Sequence, residues 1–208
     1  MEQSIKKKLK IVLIAFLILL LPLSYAIAYS YAIILNDEAM ESTIMYNTDD
    51  KVVVEEALID LNIACKIIPW NSTFFMNKQM LHFKLADYEA ALETSTKLLK
   101  LFDDHPYYII QQGLIYELLG DMENANKSYE ESVRKYENLL KTEEQEDYNL
   151  EFEYITSLVI AGNEQQAREV QATLKQKYPE DEIVQSMPFL SKEEYLKIIT
   201  DNVIEEDN

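Results

Sequence analysis

The chain predicts an all-α protein, and three observations carry that expectation. Only 3 glycines and 5 prolines occur in 208 residues, so little breaks helices or builds tight turns between strands. Its longest apolar runs lack the two-residue alternation of half-buried strands. A pattern of small, acidic and apolar residues also returns after 34 positions, the length of two helices with their turns. A hydrophobic content of 48% excludes wholesale disorder, and the length allows one domain with an appendage.

The appendage comes first. After Lys6, Lys7, Lys8 and Lys10, residues 11–35 read IVLIAFLILLLPLSYAIAYSYAIIL, which is 25 positions without a charge. About 20 helical residues cross a bilayer core. A secretory signal would share the basic start, end its apolar part near Pro22 and be cut at a small-residue site such as Ala26-Ile27-Ala28. A permanent anchor explains why the run continues through Ala32 to Leu35, and its length favours that reading. Both readings leave residues 1–10 as a basic cytoplasmic leader and export the remainder. The expectation is a single-pass cell-membrane protein with an extracytoplasmic C-terminal domain, residues 36–50 serving as a linker or a degenerate first helix.

Beyond the span stand 36 acids and 15 bases, a net charge of −21. Phosphate contacts need clustered Lys and Arg, and Arg134 and Arg168 are the only arginines, so nucleic acid is an unsuitable partner. The same balance argues against a domain lying flat on anionic lipid. Cys65 is the single cysteine, which excludes an intramolecular disulfide and fits a small buried helix residue.

The repeat sets the architecture. Aligning residues 72–105 with 106–139 superimposes Ala86 on Gly120, Asp87 on Asp121, Glu89 on Glu123 and Ala91 on Ala125, with Leu81 on Ile115 and Leu85 on Leu119. Ala91 and Ala125 mark the close approach of two helices in a hairpin, where a larger side chain would overpack. A step back from Ala91 reaches Ala57, followed by Ala64 and Pro69, so 52–68 reads as the second helix of a preceding hairpin, with EAMESTIMYN as its first. A step forward reaches Gly162, Ala167 and Pro179, displaced by eight extra residues near KTEEQEDY that extend the preceding helix and its loop. Asn71, Ser72 and Thr73 read as a helix start. The capping box Ser191-Lys-Glu-Glu194 opens a last helix, SKEEYLKIITDNVI, with Tyr195, Ile198 and Ile199 at helical spacing.

These residues resemble the tetratricopeptide repeat. Its small, aromatic, glycine, alanine and aromatic positions are filled by Gly113, Tyr116, Gly120, Ala125 and Tyr129 in the better repeat; the earlier one keeps Ala86 and Ala91 but has Gln79 and His82. The resemblance implies a helical-hairpin solenoid over residues 51–180, about three repeats, closed by a capping helix and acidic tail in 181–208. It also implies a groove lined by the first helix of each hairpin. Carried over, its residues are Met76, Met80, Phe83 and Lys84, then Tyr107, Ile110, Leu114, Glu117 and Leu118, then Phe152, Thr156, Val159 and Ile160. The family's carboxylate clamp needs Lys, Arg and Asn there; Met, Ile and Leu suit an amphipathic helix or apolar strand instead. Equally, these side chains read as inter-repeat core.

A weaker similarity joins ACKIIPWNSTFFMNKQMLHFKLADYEAAL to the extracytoplasmic repeat tails of bacterial O-antigen ligase and polymerase family proteins, implying an accessory role in envelope assembly. The functional expectation is therefore a membrane-anchored scaffold or adaptor that binds a protein or peptide. The alternative is a structural, self-associating module, with homo-oligomers, whose groove is filled by its own residues 189–204. His82 and His105 stand apart, with no metal-ligand spacing, no glycine-rich phosphate loop and no nucleophile motif, so neither catalysis nor a cofactor nor a metal is expected.

Overall fold

The computed structural model describes residues 2–45, 48, 50–102, 105–142, 148–201 and 203–204, apart from the side chains of 2–19 and 44–45. Most of the expected loop around KTEEQEDY and the acidic end at 205–208 lie outside the described residues. Among those described, regular structure is entirely helical: α1 (Glu2–Met40) passing into a π-helical turn (Glu41–Met45), α2 (Lys51–Ile67), α3 (Ser72–Lys84), α4 (Tyr88–Leu101), α5 (Pro106–Leu118), α6 (Met122–Thr142), α7 (Asn149–Ile160), α8 (Glu164–Lys177), α9 (Glu182–Ser186) and α10 (Lys192–Thr200). The chain divides into two compact units, Met1–Asn77 and Lys78–Asn208, with the boundary inside α3.

In the first unit α1 packs against α2. Alanines make that approach close: Ala32 and Ala39 on α1, and Ala57 and Ala64 on α2, are all buried, with Leu35, Val54, Leu58, Leu61 and Cys65 filling the space between them. Asp50 caps α2 by accepting from the Val52 N–H at 2.9 Å, and Asn71 caps α3 by accepting from the Thr73 N–H at 3.0 Å. The expected separate helix from EAMESTIMYN is corrected here. Asp37 to Met40 complete α1 itself, because nothing between Leu35 and Ser42 breaks a helix and Asn36 is tied down, accepting from the Asn77 amide at 2.7 Å. Ala32 and Leu35, assigned above to a span ending at residue 35, are hairpin core. Among the described residues no helix is long and apolar enough to cross a membrane. Leu20, Leu21, Leu23, Tyr25 and Ile27 of α1 are exposed.

In the second unit each helix packs on the next from α4 through α8. Ala91, Ala125 and Ala167 are fully buried at the points of closest approach. Gly113 belongs to the same device: a Cβ there would come within 2.5 Å of the Tyr129 ring. Buried hydroxyls stitch neighbouring helices, as where the Ser132 hydroxyl donates to the Pro106 carbonyl at 2.8 Å and lies 3.0 Å from Ser157 Oγ. α6 runs 21 residues and carries the extension implied by the shifted third repeat.

Three turns recur with one geometry. Ala86, Gly120 and Gly162 have φ of 54°, 79° and 81°, each ending a helix in the left-handed region. At each, the next residue closes a six-to-one hydrogen bond: Asp87 N–H to His82 O at 2.9 Å, Asp121 N–H to Tyr116 O at 2.8 Å, and Asn163 N–H to Leu158 O at 2.8 Å. Asp87 and Asp121 then accept from Ala90 and Asn124 N–H groups and start the following helix. One small residue plus one acid thus stops a helix and begins its partner.

No atom lies within 4 Å of a Cβ built on Gly120 or Gly162, so only the backbone decides a substitution there. Gly120→Ala and Gly162→Ala should each lower unfolding free energy by roughly 0.5–1 kcal/mol, and Ala86→Gly should raise it by about as much, in urea titrations followed by circular dichroism.

Candidate functional site

The groove positions implied by the resemblance lie on α3, α5 and α7, and most are not free surface. Met80 is exposed; Met76, Tyr107, Glu117, Leu118, Phe152 and Thr156 are half-buried; Phe83, Lys84, Ile110, Leu114, Val159 and Ile160 are buried. Of these positions Met80 alone is exposed. A charge at Leu114 would break the core before it affected any partner.

What covers much of this face is the chain's own C-terminal segment. Leu196 packs on the cluster of Ile110, Leu114, Ala125, Tyr129 and Ile160, and Ile199 reaches both this cluster and the one formed by Phe83, Ala91 and Ile115. Tyr195 packs on the cluster containing Leu158 and Val159, beside Phe152 and Phe189. The inward set is thus Tyr195, Leu196 and Ile199, whereas Ile198, grouped with them from spacing, points outward with 52% exposure.

Polar contacts fix the register of α10. Lys192 Nζ lies 2.8 Å from Glu117 Oε2 and 4.7 Å from the Tyr129 ring centroid, while the Tyr129 hydroxyl donates to the same Glu117 oxygen at 2.5 Å. The Tyr195 hydroxyl and Thr156 Oγ1 are 3.1 Å apart, and the Ile204 N–H donates to the Lys84 carbonyl at 2.8 Å. The helix begins with a complete capping box in which Ser191 Oγ accepts from the Glu194 N–H and Glu194 accepts from the Ser191 N–H. Before it, the Arg168 guanidinium stacks 3.7 Å over Phe189, and Gln171 donates to the Met187 carbonyl. A cavity of about 90 Å³ remains between α7 and this connection, room for a few waters but not for a cofactor.

Burial and neighbouring carboxylates govern the phenols here. Tyr129 is pushed far up by burial and then by Glu117, and Tyr136 by burial and then by Glu153, to which it donates at 3.0 Å. Tyr154, bonded to Glu137, is pushed up to about 12, again chiefly by burial. All three stay neutral donors at physiological pH, and part of the chain's acidity serves to accept from them. His82, filling an aromatic repeat position, is held below its ordinary pKa by burial and by Lys78, against the pull of Asp87 and Glu93. Its Nδ1 is 3.7 Å from Asp87 Oδ2 and accepts no hydrogen bond. Among the described residues no group of three His, Cys, Asp or Glu side chains could hold a metal.

No family model matches the chain, and no solved structure matches it. Over 93 residues it is 28% identical to DnaJ homolog subfamily C member 3 of Gallus gallus, a match covering 42% of this chain and 18% of that protein. The chain therefore spans less than a fifth of that relative's length. This similarity and the all-helical structure are compatible with a tetratricopeptide-like protein and a helical scaffold for protein interaction.

Spacing did not single out Lys192, Leu196 or the Glu117–Tyr129 pair. Lys192 is the first residue after the Ser191 cap, and its pairing with Glu117 depends on the seating of α10, which spacing alone does not give.

No α10 side chain is fully buried, so its seat rests on Leu196, Ile199 and the Lys192–Glu117 pair together. Leu196→Asp with Ile199→Asp should accelerate tryptic cleavage after Lys192 and Lys197 by about tenfold or more, since ~1.4 kcal/mol suffices for that factor. Helicity should change only slightly. His82 gives a second expectation. Its folded pKa lies below 6.5, so the unfolded chain binds the extra proton first and stability declines as pH falls below 6.5. His82→Phe should flatten that decline in pH-dependent thermal melts.

Proposed function

We propose that the chain is a membrane-anchored, tetratricopeptide-like scaffold that works outside the cytoplasm by binding a protein partner, not by catalysis. One observation carries the binding part: α10, an amphipathic helix, already lies on the face made by Ile110, Leu114 and Ile160. A surface that accepts one amphipathic helix at Leu196 and Ile199 has the size, apolarity and polar latch to accept another. The partner this favours presents two apolar residues three apart and a cation one turn before them, to meet Glu117 as Lys192 does. Met80, exposed beside this face on α3, is the position from which a partner would be reached first.

The anchor rests on the sequence. Residues 11–35 are uncharged, and Lys6, Lys7, Lys8 and Lys10 precede them and hold that end in the cytoplasm, which exports the remainder. A role in bacterial envelope assembly follows from the similarity to O-antigen ligase and polymerase tails. The second reading, a structural module with a permanently filled groove, is favoured by the same seating of α10.

A photo-crosslinking residue at Met80, read in cells by mass spectrometry, separates the two. The scaffold predicts a crosslink to another envelope protein that strengthens when Leu196→Asp and Ile199→Asp unseat α10. Crosslinks confined to residues 189–204, in both backgrounds, would replace it with the filled-groove module.

A further inference from the structure

The net acidity of the exported part is not spread evenly along the first hairpin. Acids occur at Asp37, Glu38 and Glu41 about the end of α1, at Asp49 and Asp50 before α2, and at Glu55, Glu56 and Asp60 within it. From Leu61 to Ala86 there is none, and from Gln3 to Asn36 there is none. α1 and α2 pack on each other, joined by a π-helical turn and a short connection, so the two chain directions oppose. The acids of this hairpin therefore lie about its turn and along α2 as far as Asp60, and its open end, where α2 finishes and α1 begins to pack, is free of them.

That open end is also where burial stops. Ala28 is the earliest described residue of α1 that is half-buried; residues 20–27 are exposed all round, including Tyr25 at 50% and Ile27 at 63%. At the end of α2 the C-cap residue Ile68 is still buried, and Pro69 and Trp70 follow it exposed. Trp70, 56% exposed, is the chain's single tryptophan, with the exposed Lys66 one turn before it. Tyr25 and Tyr29 lie 6.1 Å apart on α1 and Tyr31 is exposed nearby. Since burial against the hairpin begins at Ala28, the apolar run left for lipid is 11–28, about 27 Å of helix against a hydrocarbon core of about 30 Å. The bilayer surface then falls at the level where α2 ends.

We propose that the turn between α2 and α3 is a membrane-surface contact: Trp70 and Lys66, with Tyr25 and Tyr29, seat in the headgroup region of the bilayer that residues 11–28 cross. The inference rests on the anchor reading and adds a second point of attachment. Amphipathic rings belong at that depth, a lysine meets anionic headgroups, and no carboxylate in this stretch opposes the approach. Within this hairpin the acids that would repel lipid lie toward the other end.

The single tryptophan supplies its own probe. The full chain is reconstituted into vesicles of phosphatidylcholine and phosphatidylglycerol, with and without lipids brominated near the headgroup, and Trp70 emission is followed. Shallow bromination should quench Trp70 at least twofold, and aqueous acrylamide should quench it less than a free indole. With Trp70→Phe and Val52→Trp, which moves the probe to the exposed opposite end of α2, bromination should have no effect. A chain that floats with the vesicles yet leaves Trp70 unquenched by lipid and open to acrylamide would overturn the contact while keeping the anchor. A chain that does not float would overturn the anchor and the contact with it.

Discussion

Gly113 has no side chain, and the arrangement of the second unit follows from that. A Cβ there would strike the Tyr129 ring at 2.5 Å; without one, the ring fits against α5 and is almost fully buried. In that position its hydroxyl donates to Glu117, one helical turn along α5 from Gly113, and fixes the carboxylate. The fixed carboxylate then holds Lys192, and Lys192 sets where α10 rests. The small residues Ala91, Ala125 and Ala167 play the corresponding part between neighbouring helices, where close-packed interiors leave no slack for a larger side chain.

Much of this was legible as period and little of it as contact. The return of Ala86-Asp87 at Gly120-Asp121 located two turns, because a left-handed stop and an acidic cap both demand particular residue types. Asn163 at the third turn shows the limit: its side chain makes no cap hydrogen bond, yet the turn keeps the same backbone closure. The tetratricopeptide resemblance also assigned Phe83, Ile110 and Leu114 to one face. It could not say whether solvent or another helix met that face, since an apolar groove and an apolar core are written in the same residues. The start of α10 was readable from Ser191 and Glu194, but its rotation was not: Tyr195, Leu196, Ile198 and Ile199 are all apolar, and only packing chooses Leu196 over Ile198. At the front of the chain, Asn36 and Asp37 read as the end of an apolar span, whereas a hydrogen bond from Asn77 lets α1 continue through them.

The distribution of charge ties the two units to one picture of function. Carboxylates in the second unit accept from buried tyrosines at Glu117, Glu137 and Glu153, and so lock helices together while keeping the surface acidic. Carboxylates in the first hairpin lie about its turn and along α2 as far as Asp60. Acidity of this kind discourages unspecific contact and favours a partner with basic edges.

The central claim is that the face bearing Ile110, Leu114 and Ile160 is a receptor for an amphipathic helix. Its most direct measurement is fluorescence anisotropy of a labelled peptide of residues 187–204 titrated with the chain carrying Leu196→Asp and Ile199→Asp. The account predicts saturable binding in trans, displaced by unlabelled peptide but not by a peptide with the same two aspartates. An absence of binding by a chain that retains its helicity would contradict it, and would make α10 a fixed part of the core.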